Sequence, residues 1–119
     1  MIKGIGTDIV EIERIKKAIL RQGFNKKVYT MIEQFLIEEN GIQTAATGFA
    51  AKEAIAKAFG TGFSKFLPRD IEILRKTSGQ PFCMLHGKAL DIATERDITT
   101  IHISLSHCKD YAIAYVILT

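Results

Sequence analysis

The order of elements predicts an α+β domain in which helices, one of them long, pack on a mostly antiparallel sheet. Three observations carry the prediction: an Ile- and Val-rich opening run from Ile2 to Val10, a helical pattern from about Gln43 to Phe59, and two closing strands joined by His107-Cys108-Lys109-Asp110. Strands that follow each other across so short a link pair antiparallel, and helices grouped ahead of them cover a face of the sheet. At 119 residues with 47% apolar content, the chain suffices for one domain, 1–119, with a core of its own.

Taken in order, the opening strand ends near Asp8, so this carboxylate stands at a strand-to-helix junction. A helix is expected from Glu11 to about Gln22, because Ile12, Ile15, Ile19 and Leu20 recur near helical spacing and Gly23 ends the run. Thr30 with Glu33 has the form of a capping box and opens a short helix that closes near Asn40-Gly41. The long helix follows and stops at Gly60-Thr61-Gly62, where glycine supplies a left-handed cap. Alternation in Asp70 to Leu74, turn residues at Ser78-Gly79-Gln80-Pro81 and the apolar Phe82 to Leu85 predict a hairpin. His86 to about Arg96 is weakly helical. Thr100 to Ser106 and Tyr111 to Leu118 complete the sheet, and the near-continuous apolar character of the last strand predicts burial on both faces, by helices or by another subunit.

Composition narrows the function. No run approaches the roughly 20 apolar residues of a membrane span, and no charged leader precedes an apolar stretch, so a cytoplasmic protein is expected. Cys83 and Cys108 lack metal-site or disulfide spacing and are expected to be free thiols. A net charge of +3, without interleaved aromatic stacking residues, argues against a nucleic-acid binder. Basic residues do gather early: Arg14, Lys17 and Arg21, with Lys16, Lys26 and Lys27, would suit an acidic protein or a polyphosphate. An ordinary solvated helix face would read the same way.

The stretch Gly48 to Gly62 places Lys52, Glu53 and Lys57 on one arc of the long helix, a carboxylate among ammonium groups. Asp8 and Glu53 together would offer a divalent cation two oxygen ligands; magnesium is often held by one or two carboxylates, with water and phosphates completing its shell. By spacing alone, Asp8 could instead cap the first helix and Glu53 pair with Lys57 one turn on. His107, after Ser104-Leu105-Ser106 at a strand end, could meet a phosphate or move a proton, or could simply be a hydrogen-bonded surface residue.

The arrangement of these motifs resembles one family over nearly the whole chain. Gly4-Ile5-Gly6-Thr7-Asp8-Ile9-Val10-Glu11-Ile12 with Arg14-Ile15, and Phe49-Ala50-Ala51-Lys52-Glu53-Ala54 with Lys57 to Gly62, are similar to the two signatures of the holo-[acyl-carrier-protein] synthases, the small 4'-phosphopantetheinyl transferases. Asp70-Ile71-Glu72-Ile73, Gly79-Gln80-Pro81 and Ser104 to His107 match lesser motifs in the same order. The resemblance implies the 4'-phosphopantetheinyl transferase-like fold. It also implies magnesium-dependent transfer of the phosphopantetheine arm of coenzyme A to a serine of apo acyl carrier protein, for fatty acid synthesis, with adenosine 3',5'-bisphosphate released.

It implies Asp8 and Glu53 as metal ligands and, with Lys57, as catalytic residues. The resemblance implies Lys52 and Lys57 in the same site and Arg14 on the surface that meets the carrier; beside them, Gly60, Gly79, Gln80, Pro81 and His107 are assigned to the coenzyme, and Lys17 and Arg21, from the same basic run as Arg14, to the carrier. Homotrimers with sites at subunit boundaries are implied as well. The chain departs from the pattern at Gly48, where the family usually carries an arginine that contributes to a phosphate site. That change motivates the alternative of a non-catalytic module that binds acidic carriers.

Overall fold

The computed structural model describes residues 1–119. Strand β1 (Gly4–Glu11) leads into helices α1 (Ile12–Ala18), α2 (Phe24–Val28), α3 (Met31–Asn40) and α4 (Ile42–Phe59). A 3-10 turn at Pro68–Asp70 precedes β2 (Ile71–Arg75) and β3 (Pro81–Leu85); α5 (Gly87–Glu95), β4 (Ile101–His107) and β5 (Tyr111–Leu118) follow. One sheet has the order β1-β5-β4, antiparallel throughout, with Gly4 opposite Leu118 and Ile101 opposite the same residue from the other side. The second is the β2-β3 hairpin, turned by Gly79 at φ 90°.

Helix α4 is the centre of the molecule. Its residues are buried on almost every side, and only Gln43 and Lys57 are exposed. Small side chains make this possible: Ala50, Ala51, Ala54 and Ala56 let strands, α3 and the hairpin approach together, and Ile55 and Phe59 fill the space between. Against β1 the approach is closest of all. A methyl added to Gly4 or Gly6 would clash with the carbonyl oxygens of Ala58 and Ala54 respectively, so these two strand glycines are required for backbone to lie against backbone. No helix is long and apolar enough to cross a membrane.

Several expectations change. α1 stops at Ala18, four residues early, because Ile19 and Leu20 turn the chain and leave Leu20 exposed. α2 is too short to announce itself by a repeat; its N-cap is Gly23, held at φ 84°. Thr30 and Glu33 do form the reciprocal capping box, and Gly60 caps α4 in the left-handed region. Within the single chain the last strand is buried on one face only. Ala112, Ala114, Val116 and Leu118 face α4, whereas Tyr111, Tyr115 and Ile117 point outward with Ile5 and Ile9 of β1, leaving an apolar sheet face uncovered in the single chain.

Candidate active site

Alternation along β1 turns Gly4, Gly6, Asp8 and Val10 inward. Because the glycines carry no side chain, α4 lies against the strand, and Asp8 is the first inward group able to reach it with polar atoms. It meets Lys57, whose Nζ is 2.9 Å from Asp8 Oδ1 and donates also to the Thr7 carbonyl at 3.1 Å. The other oxygen, Asp8 Oδ2, is buried with no hydrogen-bond partner. An ionised oxygen left so is costly unless a ligand or cation completes it.

Glu53 shares a cleft of about 400 Å³ with Asp8 and Lys57. Burial, then the nearby Asp8 charge, push its carboxyl above the ordinary value, and Lys57 offsets this only in part. The alternatives of a capping Asp8 and a Glu53–Lys57 pair are both set aside: α1 has Glu11 at its N-cap without a side-chain bond, and Lys57 takes Asp8 as its partner. Two acids, one with an open oxygen, suit a magnesium ion that draws its remaining ligands from water and phosphate. No third acid, histidine or cysteine joins them, so the chain does not build a closed metal cage.

Arg14 and Arg21 line the opposite wall, with Phe24 and Phe49 stacked at 6.1 Å between centroids and the Arg21 guanidinium 5.7 Å from the Phe24 ring. Lys17 is exposed on α1 outside the cleft, and Gly60 caps the helix beyond it. The two phenylalanines were not legible as site residues, since aromatic side chains at such spacing read as core.

Lys52 requires a correction. It is fully buried on a different side of α4, with its ammonium donating to Glu33 Oε1 at 2.8 Å, to the Pro68 carbonyl at 3.3 Å and to the Ile71 carbonyl. It therefore does not reach the cleft. The geometric reason is elementary: successive helical residues are about 100° apart, so Glu53 and Lys57 differ by about 40° while Lys52 lies well off their arc. Burial pulls the Lys52 pKa below its ordinary value, and Glu33 opposes that pull. Lys52 also supplies no substitute for the cation missing at Gly48. That glycine lies in unbroken helix beside a second cavity, of about 340 Å³, whose one lining cation is Arg75 and which Gly79 also borders.

Gly79, Gln80, Pro81 and His107 do not line the Asp8–Glu53 cleft of their own chain. His107 ends β4, the sheet edge opposite β1, and is exposed.

Residues 4–116 match the 4'-phosphopantetheinyl transferase superfamily. The chain is 46% identical over 117 residues to the holo-[acyl-carrier-protein] synthase of Lachnoclostridium phytofermentans, covering 98% of this chain and 95% of that one. Among solved structures it is similar to the synthase of Neisseria meningitidis, at a TM-score of 0.91 and 33% identity over 100% of this chain and 99% of the other. It is also similar to the Helicobacter pylori synthase in complex with coenzyme A, at a TM-score of 0.85 and 29% identity over 97% and 99% of the two chains.

Proposed function

The chain belongs to the 4'-phosphopantetheinyl transferase superfamily, among its holo-[acyl-carrier-protein] synthases, and from that premise we propose how its residues carry the reaction. The reaction is transfer of phosphopantetheine from coenzyme A to apo acyl carrier protein. A serine hydroxyl of the carrier attacks the phosphorus that bears the pantetheine arm. A new P–O bond forms, the diphosphate bridge breaks, and adenosine 3',5'-bisphosphate leaves.

Asp8 and Glu53 would hold magnesium, which when bound supplies charge neutralisation at the diphosphate. Glu53 accepts the serine proton from its place in the cleft beside Asp8 and Lys57. Lys57, more than half exposed though anchored on Asp8, turns its remaining donor capacity to the leaving phosphate. Arg14 and Arg21, on the cleft wall, and Lys17 beside them bind the acidic carrier. The observation that carries this reading is the buried, unpartnered Asp8 Oδ2 beside Glu53.

Gly79, Gln80, Pro81 and His107 meet the coenzyme from a neighbouring copy, and the assembly is a homotrimer. Two features support this: those residues lie off the cleft within one chain, and the outward sheet face leaves Ile5, Ile9 and Tyr115 more than 60% exposed, an apolar surface of the kind that subunits cover. The reaction is placed in the cytoplasm, where Cys83 and Cys108 persist as free thiols.

The test is mass spectrometry of apo acyl carrier protein incubated with coenzyme A, magnesium and enzyme. A gain of one phosphopantetheine is expected, with the rate reduced by about 100-fold or more in Asp8→Asn and Glu53→Gln, in line with loss of a group acting on the transition state. Full activity in Asp8→Asn would overturn the site. Tight carrier binding without mass gain would select the binding module instead.

A further inference from the structure

Lys52 and Glu33 spend every polar atom inside the protein. The three donors of Lys52 go to Glu33, Pro68 and Ile71; Glu33 Oε1 accepts in addition from the Thr30 amide at 2.9 Å, and its Oε2 accepts from the Ile73 amide at 3.0 Å. One ion pair thus ties the middle of α4 to the start of α3 and to the segment entering β2. On the opposite side, α4 meets β1 through glycines and alanines, a close contact that sets separation and whose polar tie is the half-exposed Lys57 on Asp8 and the Thr7 carbonyl. The fully buried directional bonds of Lys52 hold the roll of the helix from the other side. Glu53 is the next residue.

We propose that the buried Lys52–Glu33 pair sets the roll of α4 and thereby aims Glu53 and Lys57 at Asp8, which makes Lys52 and Glu33 positioning residues for the transfer. The inference rests on the reading of Asp8, Glu53 and Lys57 as the reacting site. With side chains reaching about 5–6 Å from a helix axis, a roll of about 10° displaces the Glu53 carboxylate by about 1 Å, and a misplacement of about 1 Å costs on the order of 100-fold in rate. Apolar replacement of a whole buried ion pair often leaves stability unchanged or improved. What it cannot replace is direction.

The experiment compares the parent with Glu33→Leu/Lys52→Met. Expected are a cooperative unfolding transition as stable as the parent's, KM values for coenzyme A and carrier within about threefold, and kcat lowered about 10- to 100-fold, with α4 rolled in a crystal structure of the variant. A stable double variant with parental kcat overturns the proposal, as does a loss confined to KM. If that variant does not fold, Glu33→Gln/Lys52→Met, which keeps an acceptor for the Ile73 amide, is judged by the same criteria; failure of both to fold overturns the proposal, because the pair would then serve the fold and not the aim. Asp8→Asn is assayed alongside: its full activity would remove the underlying reading, whereas its inactivity beside a fully active double variant removes only this inference.

Discussion

The two sides of α4 put the same chemistry to opposite use. On the dry side Lys52, Glu33, Thr30, Glu72 and His86 form a network in which the side-chain oxygens of Glu33 and Glu72 all have partners: Thr30 Oγ1 donates to Glu72 Oε2 at 2.6 Å, and His86 Nε2 lies 3.0 Å from Glu72 Oε1. On the wet side Asp8 has one oxygen bound and one open, Glu53 has no ion-pair partner, and Lys57 is half in solvent. A finished network holds a shape. An unfinished one has capacity left for something that arrives, and the difference separates structure from function better than residue type does, since Lys52 and Glu53 are neighbours in one motif.

Breaking the finished side should have the largest effect on folding. Glu33→Gln or Lys52→Met alone strands a charge or its acceptors in the core, and a loss of about 3–5 kcal/mol is expected from urea unfolding. A cost below about 1 kcal/mol for both single variants would mean that the dry side is less dry than its burial implies. Next comes the seam between the sides. Gly6→Ala places a methyl on the Ala54 carbonyl, so β1 must move away from α4; about 1–3 kcal/mol of stability should go, and transfer should fall further than stability explains because Asp8 moves with the strand. Parental activity in a destabilised Gly6→Ala would uncouple the close approach from the site.

Much of this was legible in the residues. Glycines in an apolar strand, a capping box written as Thr30 and Glu33, and a helix ended by Gly60 are local signals, and local chemistry decides them. Asp8 and Glu53 could be paired because each stands among apolar and small residues and because the motifs that hold them resemble one family's; spacing alone left a capping Asp8 and a Glu53–Lys57 pair open. What escaped was the long-range use of residues whose local role was already satisfied. Glu33 read as a cap and nothing more, although the same carboxylate reaches Lys52 and the Ile73 amide. Proximity in a motif suggests one face for Lys52 and Glu53, yet about 100° of helical rotation sends Lys52 to another. Gly79 to Pro81 and His107 act, in the proposed trimer, across a boundary that no single chain contains.

Acid should sharpen the comparison, because the two sides titrate in opposite directions. Burial alone would raise the Glu72 pKa, but hydrogen bonds from Thr30 and His86, with the charges of His86 and Lys52, bring it below the ordinary 4.5. Its contribution to stability is therefore complete above pH 4.5 and fades as pH falls through the lower folded value. Glu53 is raised, so its ionised form weakens the fold at neutrality, and that penalty is relieved as pH falls through the raised value towards 4.5. Glu72→Gln should unfold at a lower temperature than the parent at pH 7, with the gap closing below pH 4.5. Glu53→Gln should unfold at a higher temperature at pH 7, with its gap closing as pH falls towards and below 4.5, while transfer is lost. Thermal melts of the two variants across pH 3 to 8 decide it: gaps of the same sign at pH 7 would mean that the wet side, like the dry one, was built for stability, and Glu53 would lose its standing as the group the protein maintains at a cost.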